Sequence, residues 1–237
     1  MRIGSLFSGI GGLELGLERA IPGAHTVFQV EQNKYARAVL AKHWPNAQRF
    51  DDVKEVGAHN LPACDLLCGG FPCQDLSALN SGGTGLEGSR SGLWGEFARI
   101  AGELEPRWII VENVHHTWRR WVPSVRRDLY RLGYASVPLR LSAADVGARH
   151  RRRRVFILAH PDGQQLRKLP RWWSRQDGQG APESAKPNRW PAPPEPCRAP
   201  HGLPHRVDRL RCLGNAVVPQ VAEVVGRVVM QLEEGSA

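Results

Sequence analysis

Through the first 160 residues, short apolar runs alternate with amphipathic stretches. IGSLF (3–7) and TVFQVE (26–31) read as buried strands. Between them Leu13 and Leu17 stand four apart, which predicts a helix from Gly11 to Ala20. A second helix is expected near Asn33–His43, and CDLLCGG (64–70) predicts a third strand that ends in glycines. In LWGEFARIAGEL (93–104), Leu93, Phe97, Ile100 and Leu104 form one helical stripe, with Pro106 just past its end. WIIVENV (108–114) predicts a strand, and a helix around Val122–Leu132 is stopped by Gly133. YASVPLRL (134–141) and RVFILAH (154–160) are strand-like. Strands alternating with helices of this length predict an α/β fold: a mostly parallel sheet with helices on both faces. In such a fold ligands bind beyond the carboxyl ends of the strands.

The pattern breaks after His160. Residues 161–204 hold 10 of the 18 prolines and three of the eight tryptophans, with almost no periodic apolar signal. Pro-rich text of this kind is a linker or an irregular segment. Arg171, Trp172, Trp173 and Arg175 interleave charge with aromatic rings, the composition of a small nucleic-acid-binding element. Both readings stay open. Regular structure returns at Leu210, and Val217–Leu232 predicts a closing helix. The division expected is 1–160 with 207–237 as one unit, and 161–206 as a short irregular region.

Charge sharpens the picture. Lys and Arg number 32 against 23 acids, a formal net charge of +9 that favours a polyanionic partner. Five cysteines, an odd number unevenly spread, argue against a disulfide framework and for a reducing compartment. No run of about 18 apolar residues is found, so no membrane span is expected. MRIGSLFSGIGG has no small-residue cleavage pattern, and no signal peptide is read there.

Four segments carry candidate chemistry. FSGIGG (7–12) sits at a strand-to-helix turn, where glycines let the backbone approach a ligand. Glu31 ends the next strand about 20 residues on, where an acid often meets a ribose diol; a solvated helix start is the competing reading. In GGFPCQDLS (69–77), Cys73 lies on a loop past a buried strand. A loop thiol is a nucleophile when its thiolate is stabilised, but a lone Cys is also a small hydrophobe. The spacings from Cys64 to Cys68 to Cys73 do not match a zinc knuckle, and no metal is expected. Cys64 and Cys68 are placed on one face of their strand. Glu112 ends an otherwise apolar strand, where burial raises a carboxyl's pKa and makes it a proton donor near neutral pH. Asn113 is positioned to brace the neighbouring loop. GARHRRRRVF (147–156) has five arginines in six positions from Arg149, and alternation puts Arg152 and Arg154 on one face.

Taken in order, these segments resemble the C5-cytosine DNA methyltransferase family. FSGIGG resembles its first motif, GGFPCQDLS its Pro-Cys loop, VENV its Glu-Asn-Val motif, RHRRRRVF its arginine motif, and RCLGNAVVP (211–219) its closing motif. DDV (51–53) and RSGLW (90–94) also fit. The chain looks like a compact, phage- or prophage-like version. The resemblance implies a Rossmann-like, class I S-adenosylmethionine-dependent fold. It implies that Phe7, Ser8, Gly9, Gly11, Gly12, Glu31, Asp52, Leu93, Asn215 and Ala216 line the cofactor pocket. Glu31 would hold the ribose and Asp52 the adenine edge.

In the same reading Cys73 is the nucleophile and Glu112 acts on the pyrimidine N3. Arg152 and Arg154 clamp base and phosphate, Pro72 and Gln74 shape the loop, and Asn113 belongs to the same site. Arg149, Arg151, Arg171, Trp172, Trp173 and Arg175 would contact DNA. The partner implied is double-stranded DNA, met by a monomer in the cytoplasm of a bacterial or phage-infected cell, as in restriction-modification. The alternatives are a tRNA cytosine methyltransferase and a DNA-binding relative without turnover. The chain departs from the family at His150, usually Gln, at Arg153, often an acid, and at Val218, often Pro. The span 161–206, which houses target recognition, is far shorter than usual.

Overall fold

A computed structural model of the chain describes residues 1–72, 92–169 and 205–234. Seven strands form one sheet: β1 (Arg2–Leu6), β2 (His25–Val30), β3 (Gln48–Phe50), β4 (Leu66–Gly69), β5 (Trp108–Val114), β6 (Ala135–Leu141) and β7 (Arg154–His160), in the order β3-β2-β1-β4-β5-β7-β6. All pairs are parallel except those made by β7, which runs antiparallel to both β5 and β6. The helices are α1 (Gly12–Ala20), α2 (Lys34–His43), α3 (Leu93–Leu104), α4 (Trp118–Arg131), α5 (Gly163–Arg167), α6 (Arg206–Asn215) and α7 (Pro219–Glu234).

Two cores sandwich the sheet. On one face Leu13 and Leu17 of α1 meet Val221, Val225 and Val228 of α7 above Ile3, Leu66 and Ile110. On the other face Phe97 and Ile100 of α3 and Val125 and Leu129 of α4 cover Leu6, Leu67 and Ile109. The continuously apolar text of β4, β5 and β7 follows from burial on both sides. The mostly parallel α/β architecture is therefore as the periodicity predicts.

Several local readings change. Helix α4 starts at Trp118 rather than Val122 and keeps Pro123 inside it, because Trp121, Val122, Val125 and Leu129 bury one common face. Strand β3 has three residues, too few for a periodic signal. Pro138 is tolerated because β6 is an edge strand, where a missing N–H breaks no second ladder. Cys64 precedes β4 and joins the core on one face of the sheet, whereas Cys68 joins the other. They do not share a face, since strand alternation does not extend back to Cys64. Helix α5 falls within the region expected to be irregular, yet Leu166 is buried in the core and the Gln165 amide donates to the Leu232 carbonyl. Residues Arg206–Glu234, taken together, are long and apolar enough to cross a membrane by length and composition alone. They divide into α6 and α7, and α7 buries its apolar face against α1 inside the protein.

Candidate active site

The crossovers leaving β1 and β4 diverge to opposite sides, so a crevice opens where their carboxyl ends lie side by side. A cavity of about 630 Å³ occupies that crevice. Its wall includes Phe7 and Gly9 after β1, Glu31 after β2, Asp52 after β3, Gly70 and Pro72 after β4, and Glu112 and Asn113 on β5. Leu93 opens α3 onto the cavity, Arg154 enters from β7, and Arg211, Cys212 and Asn215 close it from α6.

The chain leaves β1 through two left-handed residues, Phe7 at φ 56° and Gly9 at φ 56°. A side chain at position 9 would meet no atom within 4 Å, so the bare backbone faces open space there. Glu31 fixes this loop. One carboxylate oxygen accepts the Gly9 N–H at 2.7 Å, and the other accepts the Asn33 N–H at 2.8 Å. Each oxygen keeps a lone pair for a hydroxyl donor in the cavity. Asn33 caps α2, accepting from the N–H groups of Tyr35 and Ala36. Asp52 accepts the Lys54 N–H at 2.9 Å and so holds its own turn.

Not every residue assigned to the cofactor pocket faces it. Ser8 is buried and donates to the Ser5 hydroxyl at 2.9 Å. Gly11, Gly12 and Ala216 line a neighbouring depression with Leu15, His150 and Arg152. A Cβ on Gly12 would come 2.2 Å from the Val217 carbonyl oxygen, so that glycine is required by the close approach of α1 to the segment before α7. The glycine pattern is thus partly a packing signal.

Glu112 is the buried acid of the site. Burial pushes its carboxyl up to about 7, against the lowering pull of Arg154 and Arg152. Arg154 Nε lies 2.8 Å from Glu112 Oε1. A Cβ on Gly70 would stand 2.6 Å from Glu112 Oε2, so the missing side chain makes room for the carboxyl. Asn113 donates to the Phe71 carbonyl at 2.9 Å, and its own oxygen accepts the Val114 N–H at 2.7 Å. It therefore braces the turn that leads into Pro72, the residue before Cys73. Cys73 and Gln74 lie outside the described residues, as do Arg171, Trp172, Trp173 and Arg175.

The two arginines expected on one face have different partners. Arg152 precedes β7 with φ 34°, which breaks strand alternation. Its Nε donates to the Ala216 carbonyl at 3.1 Å, and its Nη2 donates to Gly214 at 2.6 Å and to Ala216 at 2.5 Å. Arg154 alone is paired with Glu112 through its side chain. Arg149 and Arg151 are exposed on the approach to β7. Sequence reasoning did not single out Arg211 and Cys212 as lining residues, although both stand inside RCLGNAVVP.

Residues 1–196 match the family model described as C-5 cytosine-specific DNA methylase. The chain is 40% identical over 167 residues to the type II methyltransferase M2.BsuMI of Bacillus subtilis, covering 67% of this chain and 42% of that protein. It is 32% identical over 162 residues to M.HhaI of Haemophilus parahaemolyticus, covering 67% and 48%. Among solved structures it is similar to a DNA modification methyltransferase encoded within a prophage (E. coli), with TM-score 0.54 and 26% identity over 72% of this chain and 48% of that one. The fold is also that of Spodoptera frugiperda DNMT2, with TM-score 0.58 at 19% identity, covering 80% of this chain and 60% of that one. The chain spans about half the length of the curated relatives it matches. By the extent of the family match and the order of its motifs, the chain belongs to the C-5 cytosine-specific DNA methylase family.

Proposed function

We propose that the protein transfers a methyl group from S-adenosylmethionine to C5 of a cytosine in double-stranded DNA, through a covalent bond between Cys73 and C6. The observation that carries this reading is the Glu112–Arg154 pair, which lines the cavity together with Pro72. The cavity suits the cofactor: a bare backbone at Gly9, an anchored carboxylate at Glu31 for a ribose diol, and apolar surface from Phe7 and Leu93. Asp52 supplies an acceptor at the far end for an exocyclic amine.

In this reading the Cys73 thiolate adds to C6 of the cytosine, and the electron pair of the C5–C6 double bond moves towards C5 and N3. Glu112, protonated in part near neutral pH, donates to N3 and stabilises that charge. Arg154 keeps the carboxyl in place and offers its remaining N–H groups to the base oxygen O2. When bound, S-adenosylmethionine would supply the methyl group to the activated C5 as a sulfonium electrophile, with S-adenosylhomocysteine as the leaving group. A base then removes the C5 proton, the C6–Cys73 bond breaks to restore the double bond and release the thiolate, and N3 returns its proton to Glu112. The cytosine must leave the helix stack to reach Glu112, because a stacked base exposes neither face to a nucleophile.

Duplex DNA bearing 5-fluorocytosine tests this directly. Fluorine cannot leave as the proton does, so the protein is expected to stay bound to DNA in a denaturant-resistant adduct that Cys73→Ala abolishes. Methyl transfer to tRNA but not to duplex DNA, or an adduct that persists in Cys73→Ala, overturns the proposal.

A further inference from the structure

Where β5 ends, the chain passes through His115 and His116 into α4, and a tryptophan stands among arginines. The guanidinium of Arg140 lies 5.2 Å from the centre of the Trp118 ring, and that of Arg119 lies 5.6 Å from it. The His115 ring lies tilted to the same indole, with ring centres 6.5 Å apart. The sheet register assembles the group: Val114 is paired with Arg154, which places His115 beside Arg153, and Arg140 pairs with Val155 on the far side of β7. Burial lowers the His115 pKa, and the positive charges of Arg140, Arg153, His116 and Arg119 lower it further. Among the described residues, Arg119, Arg140 and Arg153 form no ion pair.

Among the described residues no carboxylate pairs with these three guanidiniums, and like charges gathered in one patch repel one another. Stacking on Trp118 offsets part of that cost and fixes the direction of two of them. The patch lies at the same end of the sheet as Glu112, three residues along the chain from it to His115. An extended polyanion passing the cavity mouth would cross it. A basic patch on a solvated face usually scatters its charges among carboxylates; among the described residues this one has none paired to it.

We propose that the Trp118-centred patch of Arg119, Arg140 and Arg153 holds the phosphate backbone of the DNA beside the target cytosine. The assignment rests on the DNA-methylating reading for its choice of polyanion. Its specific content is phosphate contact: two guanidiniums held over one indole ring, with Arg153 next to His115 at the entrance to β7. Such contacts add affinity without sequence preference and make binding steeply dependent on salt.

The test is equilibrium binding of the full chain to a fluorescent duplex over a salt series, without turnover. Arg119→Ala with Arg140→Ala is expected to weaken binding about tenfold or more near 0.1 M salt, and to reduce the slope of log affinity against log salt by about 1 to 2. The same positions changed to Lys should keep the slope. Arg153→Glu, an exposed site outside regular structure, gives an independent reading and should also weaken binding. Unchanged S-adenosylmethionine affinity in each variant shows that the fold is intact. An unchanged slope in the double alanine variant overturns the proposal, as does a change seen with tRNA and not with duplex DNA. A protein that never methylates DNA but shows the slope change sinks the methyl-transfer reading and leaves this one standing. An active protein whose double variant binds DNA normally does the reverse.

Discussion

Glu112 and Arg154 sit on antiparallel neighbours, β5 and β7, with their charged groups 2.8 Å apart in the wall of the cavity. Two opposing influences meet in this pair. Burial favours the neutral carboxyl, whereas the guanidinium favours the carboxylate, and the balance leaves Glu112 titrating at about 7.

That balance gives the first prediction. Only protonated Glu112 donates to N3, so turnover should fall as pH rises through about 7. Arg154→Ala removes a cation that holds the pKa down, so the falling limb should move to higher pH. Glu112→Gln should lower kcat about 100-fold or more and abolish that limb. Initial rates of methyl incorporation between pH 5.5 and 9 check both, and a limb that stays put in Arg154→Ala would sink the assignment.

Arg152 has a different task. It ties the entrance of β7 to the carbonyls of Gly214 and Ala216, next to Asn215 in the cavity wall. Arg152→Ala should raise the KM for S-adenosylmethionine more than it lowers kcat. Loss of charge-assisted bonds should cost about 2 kcal/mol of stability, read as a fall of several degrees in Tm. A large kcat loss with normal cofactor affinity would place Arg152 at the base instead.

Glu31→Gln leaves one acceptor oxygen where the structure uses two, for Gly9 and Asn33. Cofactor affinity, measured calorimetrically, is expected to drop roughly tenfold to a hundredfold, matching one or two charge-assisted hydrogen bonds. Duplex binding should be unaffected. Unaltered cofactor affinity would return Glu31 to the role of a helix-start residue.

A second buried acid makes a prediction about stability alone. Glu14, on α1, is fully buried beside Ser5 and Ser8, and burial raises its pKa to about 7 from an ordinary 4.5. The folded protein then binds a proton more tightly than the unfolded chain. Stability from this group is full below about 4.5 and declines as pH rises through about 7, by roughly 3 kcal/mol at most. Glu14→Gln should flatten that decline in denaturant titrations. If parent and variant lose stability in parallel between pH 5 and 8, the proton is not held at Glu14.

The strand text of β4, β5 and β7 is apolar on both faces, so it could be read without knowing its neighbours. The helix stripes of α1 and α3 were legible for the same reason. What periodicity carries is burial, and burial of a whole element is a local property of the chain. Helix α4 begins at Trp118, ahead of the expected Val122, and its buried face of Trp121, Val122, Val125 and Leu129 is set by packing against the sheet. The site residues were legible by type and order: Glu112 as a carboxyl ending an apolar strand, and Glu31 as an acid ending another.

The sequence by itself determined the alternation of strands and helices, the acids placed near the carboxyl ends of β2 and β5, and the excess of positive charge. Partnerships belong to the tertiary structure. Arg152 and Arg154 are two residues apart and identical in type, yet a left-handed backbone at Arg152 sends one to the closing segment and the other to Glu112. Gly9 and Gly12 are equivalent as text, but one faces the cavity and the other faces the Val217 carbonyl. Arg119 and Arg140 are 21 positions apart, and the sheet places both on Trp118. Side-chain type and hydropathy are set residue by residue. Which groups meet depends on strand order, register and backbone handedness, and those are fixed only when distant segments pack together.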